Sequence, residues 1–160
     1  MPSYTPPLRD MQFVMHEVLQ VVDELKLCPR HAEVDAATMN AVLEEAGKFA
    51  AEVLLPLNQI GDREGCTLDA AARKVRTPSG FDQAYARYVE GGWPALSVDP
   101  AYGGQGLPVL LNQCLYEMMN SANQAWAMYP GLSHGAYECL HAHGTDAQKA
   151  TYLPRLTSGE

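Results

Sequence analysis

Glu117 and Glu138 are the two carboxylates set among apolar neighbours, in Leu115-Tyr-Glu-Met-Met119 and Ala136-Tyr-Glu-Cys-Leu140. A carboxyl group buried in such surroundings has its pKa raised toward the range a general base needs. Nothing in the sequence sets a partner beside either, so a buried, hydrogen-bonded structural role is expected for both. His134, His141 and His143 are the nearest thing to a metal set. His134 and His141 share a helical face two turns apart, too far for one ion, and His141 and His143 point different ways, so packing or capping is expected and no metal. Cys28, Cys66, Cys114 and Cys139 are scattered without a Cys-x-x-Cys pair, which fits neither a zinc site nor a disulfide scaffold. No order of Ser, His, Asp or Cys is specific enough to argue for nucleophilic catalysis. The glycine-rich run Tyr102-Gly-Gly-Gln-Gly106 invites a phosphate reading. A phosphate loop needs a strand before it and usually a lysine after it. Ala95-Leu-Ser-Val98 is too short and no lysine follows, so a tight helix-to-helix connection using positive φ is expected.

The elements that position these residues read as helices. No segment alternates apolar and polar residues long enough for a half-buried strand, and Ile60 is the single isoleucine. A first helix is expected from Asp10 as N-cap, after Pro6-Pro7, through Met11, Val14, Val18, Val21 and Leu25, to end near Cys28-Pro29. Asp35 caps a second, with Met39, Leu43, Ala46, Ala50, Val53 and Leu57 on one face, and Pro56 should kink or end it. Residues 61–77 look like a polar surface connection. Thr77 and Pro78 open a third helix through Phe81, Ala84, Tyr85, Tyr88 and Val89, stopped by Gly91-Gly92. A fourth runs from Pro108 to Ala122 with Leu111, Leu115, Met118 and Met119 inward. Asn123 caps a fifth that carries Trp126, Tyr129, Leu132, Ala136, Cys139 and Leu140, with Pro130 expected to bend or split it. Thr145-Asp-Ala-Gln148 is a capping box for the last helix, which Pro154 should close. The expected fold is all-α, a bundle of about six helices.

Charge is distributed unevenly over this 160-residue chain of net charge −8. An acidic chain without a basic run longer than Arg73, Lys74, Arg76 lacks the footprint for nucleic acid. No apolar stretch approaches the ~20 residues of a bilayer span, and the start has no signal-peptide pattern, so the cytoplasm is the expected compartment. Between Arg87 and Lys149 there is no Lys or Arg, and between Pro108 and Gly144 the charged side chains are Glu117 and Glu138 alone. A surface helix carries a charged face opposite its apolar stripe. Two successive helices this poor in charge are therefore either the centre of the bundle or covered by something outside this chain.

Two segments carry a family resemblance. Gly92-Trp-Pro-Ala-Leu-Ser-Val98 followed by Tyr102-Gly-Gly-Gln-Gly-Leu-Pro108 resembles the GW-x-x-L-x-x-P-x-x-x-GGxG connection of the amino-terminal helical domain of acyl-CoA dehydrogenases, with the middle proline matched loosely by Asp99-Pro100. Gly144-Thr-Asp-Ala-Gln148, Tyr152-Leu-Pro-Arg-Leu156 and Gly159-Glu160 are similar to that family's GT-x-x-Q-x-x-x-YLP-x-L-x-x-GE signature. The resemblance covers residues 35–160. Residues 1–34 are similar to the short extra helix that precedes the domain in the longer bacterial members, including the branch that oxidises 3-methylmercaptopropionyl-CoA.

The resemblance implies a flavoprotein oxidoreductase of fatty acid metabolism. In this family a glutamate removes the α-proton of an acyl thioester while FAD takes a hydride from the β-carbon, giving the 2-enoyl-CoA. FAD and the base belong to a β-domain and a carboxy-terminal helical domain, both absent here. No catalytic, cofactor-binding or metal residue of this chain follows from the resemblance, and the segment alone is expected to be inactive and to bind no FAD. Its family role is to form part of the acyl-binding wall, for which Met119, Trp126, Met128 and Tyr129 are the candidates by position. The implied partners are an acyl-CoA substrate, an electron-transfer acceptor, the missing domains and further copies in a homo-oligomer. The alternative from another class is a free-standing helical protein-interaction module derived from this domain.

Overall fold

The computed structural model describes residues 3–160, so the first two residues of the expected 1–34 extension lie outside the described residues. Helix α1 (Leu8–Phe13) passes into a π turn (Val14–Val18), and α2 (Val21–Lys26) follows a break at Gln20, whose φ is 49°. The expected single helix is thus two short ones. Pro7, not Asp10, occupies the cap position, and Asp10 makes no cap hydrogen bond. The wider π turn also re-aims the apolar row: Met11 and Met15 are buried, while Val14 and Val18 face out.

Asp35 caps α3 (Ala36–Lys48) as expected, its carboxylate accepting from the Thr38 amide at 2.7 Å. The helix does not end at Pro56. A π turn (Phe49–Leu54) carries it into α4 (Leu55–Glu64), so that Pro56 falls in the first turn of α4, where the missing N–H does least harm. Of the surface connection expected at 61–77, residues 61–64 belong instead to the last turn of α4, while 65–77 are exposed and not shapeless: β1 (Thr67–Asp69) pairs antiparallel with β2 (Lys74–Arg76), Leu68 opposite Val75. Helix α5 (Phe81–Glu90) starts three residues later than Pro78 suggests. The Ser79 amide donates to Glu64 Oε2 at 2.7 Å and Gly80 takes φ 86°, so Pro78-Ser79-Gly80 forms the turn and Phe81 the first helical residue.

Helix α6 (Val109–His143) contains the expected cap at Asn123, where φ −160° and ψ 84° break the helical path. Pro130 lies inside the second half without interrupting it. Helix α7 (Asp146–Ser158) opens on the Thr145/Gln148 capping box and runs through Pro154 to Gly159. Pro154 and Ala150, one turn back, are both exposed, so the carbonyl left without a donor lies on the solvated side of the helix. The fold is all-α apart from the short hairpin.

The core lies where α3, its π turn, α4 and α5 meet the first half of α6. Met39, Leu43, Leu54, Leu111, Leu115, Met118 and Met119 are fully enclosed. A smaller cluster of Val98, Tyr137 and Leu153 fastens α7 and the 98–106 loop to the second half of α6.

Candidate functional site

Asn123 sets the direction of the charge-poor second half of α6. Its Oδ1 accepts from the Trp126 amide at 3.1 Å, closing the new helix start, and its Nδ2 donates to the Leu54 carbonyl at 3.2 Å. One buried side chain therefore caps one helix and satisfies the π turn of another. Trp126 lands in an aromatic layer: Phe49 and Tyr88 meet it edge-on at 5.8 and 5.6 Å, and its indole N–H donates to the Phe81 carbonyl at 3.1 Å. Tyr85 continues the layer toward the surface and donates its hydroxyl to the Gly159 carbonyl at 2.9 Å. Burial pushes the phenols of Tyr85, Tyr88 and Tyr116 above their ordinary range, which keeps all three neutral hydrogen-bonding groups.

With Trp126, Ala127, Pro130 and Tyr137 turned inward, the other side of the same helix is turned out. Ala125, Met128, Tyr129, Leu132, Ala136 and Cys139 share one helical face, all exposed and all uncharged. Leu132 is 74% exposed. Of the apolar residues expected on this helix, Trp126 faces the core while Tyr129, Leu132, Ala136 and Cys139 face outward, because both sides of the helix are apolar and the aromatic layer claims the side that carries Trp126. Of the two outcomes open for the charge-poor helices, the first half of α6 takes the centre of the bundle and the second half is left uncovered on one side.

The four candidate wall residues fall into two pairs. Met119 and Trp126 lie in the core, while Met128 and Tyr129 are each 63% exposed on the stripe, Tyr129 resting edge-on against Tyr85 at 5.2 Å. Leu132, which the sequence reading did not single out as a wall residue, stands at the centre of the exposed row. The absence of charge from residues 109–143 was the signal for it, but that signal has no sidedness.

The remaining chemistry-bearing residues are dispersed. Glu117 and Glu138 are exposed rather than buried: Leu115, Met118 and Met119 beside Glu117 point to the opposite side of α6, whereas Ala136 and Cys139 beside Glu138 are themselves exposed. His134 reaches Asn112 Nδ2 at 3.3 Å and lies 3.9 Å from Glu138 on the same helix. His141 stacks on Tyr137 and sits 3.5 Å from Asp99, whose carboxyl is held below its usual range by the Ala101 amide, with Arg30 and His141 adding to the effect. These are the packing roles expected of the histidines. His143 is exposed at the end of α6. Cys114 is buried in the core, and that burial, reinforced by Glu117, raises its thiol. The glycine loop is the expected connection, with Gly103 and Gly106 at φ 88° and 66°. Its amides are already committed: Gly104 to the Asp99 carbonyl, Gln105 to Ala95, Gly106 to Val98 and Leu107 to Leu96, at 2.8 to 3.1 Å. A diphosphate would find no free donors there, so the residues of this loop do not fit a flavin cradle.

Among the described residues, the fold is a helical bundle in which one side of the second half of α6 is uncharged and uncovered. The chain belongs to the acyl-CoA dehydrogenase family: the model of the acyl-CoA dehydrogenase N-terminal domain matches residues 36–160. It is 36% identical to a 3-methylmercaptopropionyl-CoA dehydrogenase of Ruegeria pomeroyi over 98% of this chain and 26% of that protein. It is 30% identical to a broad-specificity linear acyl-CoA dehydrogenase of Mycobacterium tuberculosis, over 93% of this chain and 24% of the relative. A butyryl-CoA dehydrogenase of Syntrophomonas wolfei is 26% identical, over 99% and 26%. The chain spans about a quarter of the length of these relatives. The Ruegeria match takes in the extension before Asp35 as well as the domain.

Proposed function

We propose that this chain is the amino-terminal domain of an FAD-dependent acyl-CoA dehydrogenase that converts an acyl-CoA thioester to its 2-enoyl-CoA, and that its part in the reaction is to supply one wall of the acyl pocket. The observation that carries the reading is the exposed, uncharged row at Ala125, Met128, Tyr129, Leu132 and Ala136, on the helix where the family places that wall. Met128, Tyr129 and Leu132 are the contact surface in this reading, and Met119 and Trp126 hold it from beneath. The base, the flavin and its hydride chemistry belong to the β-domain and carboxy-terminal helical domain, as the relatives' greater length supports. The partners of the whole enzyme are an acyl-CoA, an electron-transfer acceptor and further copies of itself, in the cytoplasm.

Two measurements test this. Titrated with FAD and followed by absorbance, the 160-residue chain binds no stoichiometric flavin and dehydrogenates no acyl-CoA; a yellow, active chain would overturn the division of labour. An apolar stripe this long should also bind a hydrophobic dye, and Leu132→Asp should abolish most of that signal without lowering the melting temperature. Dye binding that is absent from the start would mean that this helix side is no docking wall.

A further inference from the structure

Tyr85, in the middle of α5, touches both the exposed row on α6 and the end of α7. Its ring meets Tyr129 edge-on, the centroids 5.2 Å apart and the planes at 77°. Its hydroxyl donates to the Gly159 carbonyl at 2.9 Å. The inner side of the ring is backed by the core: Tyr88 stacks on it at 6.1 Å and Trp126 lies at 6.5 Å, both 3% exposed. A ring held in this way has no room to retreat inward, and the bond to Gly159 stops it from swinging out. Tyr129 has no comparable support. It is 63% exposed, and Tyr85 is its one aromatic neighbour among the described residues.

The Gly159 end is equally fixed. Gly159 closes α7 at φ 81°, and a Cβ there would fall 2.5 Å from Val89 Cγ2, so the peptide lies directly on α5 with no space for a side chain. The Glu160 amide donates back to the Arg155 carbonyl at 3.1 Å, while the Gly159 carbonyl accepts from Tyr85. Two points that matter to the proposed function therefore meet at one side chain. One is a residue of the acyl wall, and the other is the end of α7, through which in that reading the domain joins the flavin-bearing part.

We infer, on the reading that α6 supplies the acyl wall, that Tyr85 is a positioning residue: it sets the Tyr129 ring in that wall and ties it in register with the chain at Gly159. Ring and hydroxyl have separate parts. The ring props Tyr129 at the angle at which it meets the acyl chain, so losing the ring costs substrate affinity. The hydroxyl fixes the wall relative to the flavin-bearing part. Losing it leaves affinity alone and slows the chemical step, which is sensitive to small misplacement of a bound substrate.

Steady-state kinetics of the full-length enzyme, counted per bound flavin over a series of straight-chain acyl-CoAs, test both parts. Tyr129→Ala identifies the substrates that touch this piece of wall, by a KM raised about fivefold or more. For those same substrates Tyr85→Leu should raise KM by a similar factor. The double variant should exceed the larger single effect by less than about twofold, because the two side chains act as a unit. Tyr85→Phe should keep the wild-type KM and lose about fivefold in kcat, the size of one neutral hydrogen bond. A merely structural Tyr85 would show in melting temperature and flavin content and would move neither ratio. A Tyr85→Leu enzyme with wild-type KM, a double variant whose effects multiply, or a Tyr85→Phe enzyme with wild-type kcat would overturn the inference and leave the wall standing. A full-length protein without dehydrogenase activity, or a Tyr129→Ala variant that raises KM for no substrate, would overturn the proposed function and this inference with it.

Discussion

Asn123→Ala removes two bonds with one truncation, and its cost can be worked out from the structure. The Oδ1 bond to the Trp126 amide is an N-cap, worth about 1 kcal/mol with a range of roughly 0.5–2. The Nδ2 bond to the Leu54 carbonyl lies in the core, with Leu54 fully enclosed, and leaving that acceptor without a donor costs about 1–3 kcal/mol. The expected loss is about 2–4 kcal/mol, equivalent to roughly 5–15 °C in melting temperature for a chain of this size. Urea denaturation followed by circular dichroism measures it. Asn123→Asp separates the two contributions, because it keeps the cap acceptor and sets a carboxylate against the Leu54 carbonyl. Burial raises the pKa of the introduced carboxyl above its unfolded value. The variant's stability is therefore greatest in acid, where that carboxyl is protonated and can donate, and is lost as pH rises through the folded pKa. A loss below about 1 kcal/mol for Asn123→Ala, or an Asn123→Asp variant with the pH profile of wild type, would refute the double role assigned to this side chain.

Two glycines should behave oppositely when replaced by alanine. At Gly104 the added Cβ would fall 2.0 Å from the Val98 carbonyl oxygen, so the loop must open, at a cost above about 3 kcal/mol by thermal melting; at Gly135, inside α6, nothing lies within 4 Å and the gain should be about 0.5–1 kcal/mol. The Asp35 cap should show in acid. Its carboxyl lies below the usual range, chiefly because it accepts the Thr38 amide, so its stabilisation is present above the unfolded pKa and is lost as pH falls through the folded one. The difference in urea midpoint between wild type and Asp35→Ala should therefore narrow as pH drops from about 6 to 2, and a constant difference would contradict the charged cap.

What the sequence determined is chemistry that acts over one turn of chain. Asp35, Asn123 and Thr145 with Gln148 were legible as caps because a short polar side chain in front of a helix has one efficient partner, the amide two or three residues ahead. The core face of the first half of α6, Leu111 to Met119, was legible because its opposite face is polar. The two signature segments placed the chain in its family, and the missing charges of residues 109–143 announced a buried or covered surface.

Tertiary structure decided the rest, through contacts between residues far apart in the chain. The π turns at Val14–Val18 and Phe49–Leu54 arise where a helix must re-aim its apolar row or admit Pro56, which local propensity does not encode. Three-residue strands are too short to show a period, so the hairpin was invisible. Above all, the second half of α6 is apolar on both sides, and periodicity cannot choose between them. Trp126 joined Phe49 and Tyr88 because those rings, brought in by two other helices, could bury it, and that choice turned Met128, Tyr129 and Leu132 outward. A free surface here is the residue of a packing decision made elsewhere in the bundle.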